Sequence, residues 1–218
     1  MARRTPTIAA ALAVGAAVLL TACGGSSDNS SSDKIKGAGE GSKSPSASAS
    51  TSTGDGRPDV SVPADLHLNF DFDKPSDAAK AGAVADAENY IRALKHGIVK
   101  QNPDDPAYQF YSGPAASRYA KSQIQAWVKG GWTPTGTDHY FNAEANPVGA
   151  SKSLLVTFCR DQAKSFGRSV KTGKIKYVSE SLDDYEKFSL LMAPSKENSK
   201  LWKTQQIEVQ GRVKECRG

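Results

Sequence analysis

The sequence predicts an α+β domain, with two N-terminal helices packed on a curved, mostly antiparallel sheet. Three patterns predict it. A period-two strand opens the region beyond residue 58, two stretches with helical apolar spacing follow, and everything after residue 131 reads as strands separated by turn residues. About 160 residues lie in this region, enough for one domain with a real core.

Each element has its own signal. Leu66, Leu68, Phe70 and Phe72 alternate with His67, Asn69, Asp71 and Asp73, which makes a half-buried strand with His67 turned away from the apolar side. Ser76 or Asp77 then caps a helix whose face is marked by Val84, Ala87, Ile91, Leu94 and Ile98. Residues 101–106 form a loop with two prolines, and Tyr108, Phe110 and Tyr111 follow as an aromatic patch on a single helical turn. The second helix starts at Ala115. Its stripe is Ala116, Tyr119, Ala120, Gln123, Ile124, Trp127 and Val128, and Gly130-Gly131 ends it. Such a stripe places Trp127 in packing first.

Strands are expected at 137–145, 153–160, 175–178, 185–193 and 200–213. The second carries apolar residues on both faces, as a central strand does: Leu154, Val156 and Phe158 on one, Leu155 and Cys159 on the other. Residues 161–167 read as a polar loop. The charges are interspersed, as in Arg160-Asp161, and fit a solvated surface.

The first 57 residues differ in character. Arg3 and Arg4 precede an apolar run over 8–20, which is shorter than the roughly 20 residues that span a bilayer. Residues 1–22 are therefore expected to be an export signal rather than a membrane span. Leu20-Thr21-Ala22-Cys23 resembles the bacterial lipobox. That resemblance implies cleavage before Cys23 and a diacylglyceryl group on its thiol, with acyl chains such as palmitate holding the chain to a membrane. Two or three chains anchor stably where one is marginal. Residues 24–57 are dominated by Ser, Gly, Thr, Asp and Lys, with Ile35 the only large apolar residue, and are expected to form a flexible tether. The expected layout is thus signal 1–22, lipidated Cys23 and tether 23–57, and one domain 58–218, lipid-anchored on the extracytoplasmic face of the cell membrane.

The chain has three cysteines, and the lipobox takes one. Cys159 and Cys216 remain as an even pair in an oxidising compartment, so a structural disulfide is expected, worth on the order of 3–4 kcal/mol. A metal or redox site has less support: C-x-x-C is absent, and His67, His96 and His139 lie far apart.

The formal net charge is +5, but from residue 58 onward 22 Lys and Arg face 19 Asp and Glu, a net of +3. Nothing in this points to nucleic acid. Lys171, Lys174 and Lys176 cluster around Gly173, either as an ordinary charged turn or as a contact for anionic lipid head groups or wall polymers.

The order of elements looks like the cystatin-like α+β roll of the nuclear transport factor 2-like (NTF2-like) superfamily. More narrowly, the domain resembles secreted and lipoprotein members common in actinobacteria. That likeness rests on the lipobox and Ser-rich tether, Pro63-Ala64-Asp65-Leu66, Gly130-Gly131-Trp132, Phe158-Cys159-Arg160-Asp161, the Thr172-Gly173-Lys174 turn and a C-terminal Cys. It implies a conical cavity between sheet and helices, used by some members for catalysis and by others for binding.

The favoured expectation is a non-catalytic module at the cell envelope that binds a small apolar ligand or another envelope protein. Trp127, Trp132, Tyr140, Phe158 and Tyr177, with Trp202, are its candidate lining. The alternative is a small isomerase- or dehydratase-type enzyme using Asp138 with Tyr140, which share a strand face while His139 points away. No phosphate loop, nucleophile elbow or metal cluster is present in the sequence, and no cofactor is expected.

Overall fold

The computed structural model describes residues 56–217; the expected leader, Cys23 and nearly all of the tether lie outside them. The chain order is β1 (Leu66–Asp71), α1 (Ala78–Val99), α2 (Pro106–Phe110), α3 (Pro114–Gly130), β2 (Trp132–Pro147), β3 (Leu154–Ser169), β4 (Ile175–Lys176), β5 (Tyr185–Pro194) and β6 (Trp202–Gly211). This is a mixed α+β fold. Its six strands form one open sheet in the order β1-β2-β3-β5-β6, with β4 paired to the end of β3.

Local chemistry sets the helices. The Asp77 carboxylate accepts from Lys80 N at 2.8 Å and starts α1. Asp105 does the same for α2 through Ala107 N, also at 2.8 Å. Gly131, in the left-handed region at φ 72°, ends α3. Gly97 lies in the last turn of α1. A Cβ there would lie 2.6 Å from Ile124 Cδ1, so the glycine lets α1 and α3 approach closely.

The sequence expectation leaves one feature of the sheet open, and a second feature differs from it. First, β1 pairs with β2 in parallel, Leu66 opposite Gly136 through Asp71 opposite Phe141. The three helices carry the chain back to the end of the sheet where β1 began, and a parallel pair needs such a crossover. The other pairings are antiparallel. Second, residues 161–167 are strand, not loop. β3 continues to Ser169 and β2 begins at Trp132, so Trp132–Thr137 pair with Ser169–Lys164. This extension runs past the core, is only half-buried, and needs no apolar residues to hold its backbone ladder. Register shifts between Thr137 and His139 and between Phe141 and Glu144 bend the long hairpin. The Asp161 carboxylate accepts from Ala163 N at 2.8 Å near the first of them.

The core lies between the helices and one sheet face. Its largest fully buried side chains include Tyr90, Ile91, Ile124, Tyr140, Val156, Phe158, Leu190 and Met192. A smaller cluster of Cys159, Tyr185, Val213 and Cys216 covers part of the opposite face. Cys159 and Cys216 form a disulfide there, with Cα atoms 5.2 Å apart. β3 is central as expected, but Leu155 on its far face is partly exposed. Asp86, buried in α1, pairs with Arg57 and accepts from Trp202 N at 2.8 Å, tying α1 to β6. Among the described residues no helix is long and apolar enough to cross a membrane.

Candidate binding site between helices and sheet

The site is built from one row of residues that crosses the sheet. Phe70 on β1 pairs with Tyr140 on β2, Tyr140 with Arg160 on β3, and Arg160 with Glu186 on β5. Side chains directly opposite one another in a sheet share a face, so the row projects toward the helices. Asp138, two residues before Tyr140, joins it from the same side, and α1 adds Lys95 from above.

These groups form a charged network in a largely apolar interior. Lys95 Nζ lies 2.6 Å from Asp138 Oδ2. Arg160 donates to Asp138 Oδ1 from Nη2 at 2.7 Å and from Nε at 3.1 Å, and to Glu186 Oε2 from Nη1 at 3.0 Å. Two cations face two carboxylates. Burial pushes the Asp138 carboxyl up, but Arg160 and Lys95 outweigh it and hold the group well below the usual carboxylate range. Asp138 is therefore locked as an anion, which does not suit proton transfer near neutral pH. Burial, and then Arg160, push the Lys95 ammonium down.

Tyr140 is fully buried, and its OH has no hydrogen-bond partner among the described residues. The ring is clamped by Phe70, stacked at 4.5 Å, with Phe158 and Phe188 edge-on at 6.0 and 6.2 Å. Burial, reinforced by Asp138, raises its pKa well above 10, so the phenol keeps its proton.

Tyr140, Arg160 and Glu186 of this row line a cavity of about 230 Å³. Ile91, Leu94, Lys95 and Ile98 come from α1, Tyr119, Gln123 and Trp127 from α3, and Tyr140, Arg160, Glu186 and Phe188 from the sheet. Gln123 and Trp127 also line an outer groove of about 350 Å³ with Trp132, Gly167 and Lys176, so the groove and the cavity share part of their wall. The Trp132 ring rests on Gly167 and Gly130, where added Cβ atoms would come within 3.4 and 2.9 Å of it.

The expected lining residues therefore separate. Trp127 and Tyr140 are on the cavity wall, and Trp132 is on the groove. Phe158 is core behind the wall, stacked on Phe188 at 5.2 Å. Trp202 is also buried core, beside α1. Tyr177 lies outside both spaces: it is 71% exposed and meets Phe166 edge-on. The strand there ends at Lys176, which leaves Tyr177 on the surface. His139 is on the opposite sheet face, stacked on Phe141 at 5.0 Å.

Sequence reasoning missed Lys95, Arg160 and Glu186. Arg160 is not part of the solvated surface; its side chain is about nine-tenths buried. The signal was periodicity. Arg160 continues the inward series Leu154, Val156, Phe158, and Glu186 precedes Phe188, Leu190 and Met192 in the same phase. Lys95 sits between Ile91 and Ile98 on the α1 stripe. Comparison with protein-family models, with curated proteins and with solved structures finds no significant match for this chain.

Proposed function

We propose that the domain is an NTF2-like roll whose interior binds a small amphipathic ligand, and that Cys23 anchors it by lipid to the outer face of the cell membrane. The observation that carries the binding reading is the fully buried, unpartnered phenol of Tyr140, a residue of the cavity wall. A buried hydroxyl without a partner costs about 1–3 kcal/mol, which a ligand acceptor would offset. The phenol keeps its proton and so donates. The four charged groups nearby balance one another, so the ligand need not be charged. The apolar wall of Ile91, Leu94, Ile98, Trp127 and Phe188 suits a compact hydrocarbon body carrying one carbonyl, ether or hydroxyl oxygen. The order of elements and the cavity between helices and sheet support the roll; the lipobox and the low-complexity segment of residues 24–57 support the anchor.

Tyr140→Phe tests the binding reading. The variant should be as stable as the parent or more so, since the orphan hydroxyl is gone. Native mass spectrometry of parent protein purified from its own membranes should show a small-molecule adduct, and the variant should lose it or bind it about tenfold more weakly, the value of one buried hydrogen bond. Parent protein without adduct, unshifted in melting by a panel of small hydroxy- and keto-amphiphiles, would sink the reading. For the anchor, Cys23→Ser should move the protein from the membrane fraction to the soluble one or leave its leader uncut. Unchanged partition and processing would refute lipidation.

A further inference from the structure

At the open end of the β2–β3 pair, where β3 turns into β4, lies a surface that the inner cavity does not use. Residues 162–179 contain five Lys and Arg and no acidic residue. Among the described residues six large apolar side chains are exposed, and four fall here: Val170 (53%), Ile175 (38%), Tyr177 (71%) and Val178 (51%). Lys171, Lys174 and Lys176 are interleaved with them and are also exposed.

The segment is held in shape. β4 pairs Ile175 and Lys176 with Arg168 and Gly167. Within the turn, Gly173 N donates to Ser169 O and Ser169 N to Lys174 O, both at 2.9 Å, with Gly173 at φ 71°. Val170 N donates to Gly131 O at 2.9 Å, which fixes the turn beside the end of α3. The tip therefore presents its side chains on a preformed backbone.

We propose that this tip docks on an anionic lipid bilayer. A lysine turn alone is a solvated face, and a single exposed valine is ordinary. Their interleaving is what matters. Protein interfaces deplete Lys from their centres, whereas a bilayer surface accepts both kinds of residue by sorting them in depth. Val170, Tyr177 and Val178 enter the head-group boundary while the lysines extend to the phosphates. Tyr is favoured at that depth. Lys176 lines the Trp127–Trp132 groove, so docking brings the mouth of the groove to the lipid. The surface acts independently of any anchor at Cys23.

Among the described residues the core clusters and the disulfide lie within 57–217, and a chain from Gly24 retains all of them without leader or lipid. This chain should co-sediment with phosphatidylcholine vesicles that contain phosphatidylglycerol, less at high salt, and weakly with phosphatidylcholine alone. Lys171→Gln, Lys174→Gln and Lys176→Gln together should weaken binding on the order of 100-fold, about fivefold per lysine. Tyr177→Ser with Val178→Ser should cost roughly tenfold and leave the salt dependence in place. All five side chains are exposed, so circular dichroism and melting should not change. The proposal fails if the parent does not bind the anionic vesicles, if either variant binds like the parent, or if binding is equal without phosphatidylglycerol. Binding to a soluble polyanion such as polyphosphate with none to vesicles also overturns it.

Discussion

Asp138→Ala should lower stability by about 3–5 kcal/mol, because it leaves two buried cations facing an apolar interior. In urea the midpoint should fall with little change in slope, and the melting temperature should drop by about 10 °C. The loss comes from Lys95 and Arg160, not from the missing atoms. Glu186 still accepts from Arg160, but Lys95 loses its 2.6 Å partner. Lys95→Met added to Asp138→Ala should therefore recover more than about 1 kcal/mol, since the two sites are coupled. A loss below about 1 kcal/mol in Asp138→Ala would mean that the network is hydrated and contributes little.

The pH dependence follows from the same groups. In the fold the Asp138 carboxyl sits below its ordinary value of 3.8, where burial opposes the shift and Arg160 and Lys95 overcome it. Its contribution is fully present above 3.8 and is lost only as pH falls through the depressed value. Lys95 works in the opposite sense. Burial and Arg160 lower its value, and Asp138 offsets part of that. Between the depressed value and 10.5 the unfolded chain binds more protons, so this contribution to stability grows as pH rises. In Asp138→Ala the offset is gone, the Lys95 value falls further, and the alkaline gain in urea midpoint should exceed that of the parent.

The parts of the fold legible in the sequence were those decided by local chemistry. The Val84–Ile98 stripe and the Ala116–Val128 stripe became α1 and α3, Asp77 became the cap, and Gly131 the stop. Long-range pairing was not legible. Nothing local to Leu66–Asp71 says that it lies parallel to a strand beginning 66 residues later. The polar run Asp161–Ser169 has no apolar alternation, because its strand is stabilised by its backbone ladder rather than by burial. The site followed the same division. Asp138 and Tyr140 share a face because alternation requires it. Lys95 and Arg160 went unread because a charge in an apolar phase is ambiguous until its partner is known. Arg160 and Asp161 are adjacent, yet one is buried in the network and the other turns back on the bulge near Ala163.

Cys159→Ala with Cys216→Ala should lower stability by about 4 kcal/mol, the loop-closure value for a separation of 57 residues, with the folded structure otherwise intact. Little else holds the last residues. Val213 N donates to Tyr185 O at 3.0 Å, and the Arg212–Asp183 and Arg217–Glu180 pairs are exposed. Surface pairs of that kind contribute about 0–1 kcal/mol each. Hydrogen exchange should therefore rise first in the 3-10 turn Lys214–Cys216 and at the start of β5, where Tyr185 loses its cover. The cavity should not respond. Cys159 lies between Phe158 and Arg160 in sequence and so on the opposite sheet face, away from Tyr140 and the charged network. The double variant should thus melt earlier and still retain whatever adduct the parent carries at temperatures where it is folded. Free thiols at Cys159 and Cys216 in parent protein analysed without reductant would refute the bridge, and loss of ligand in a variant that remains folded would contradict the separation of the two faces.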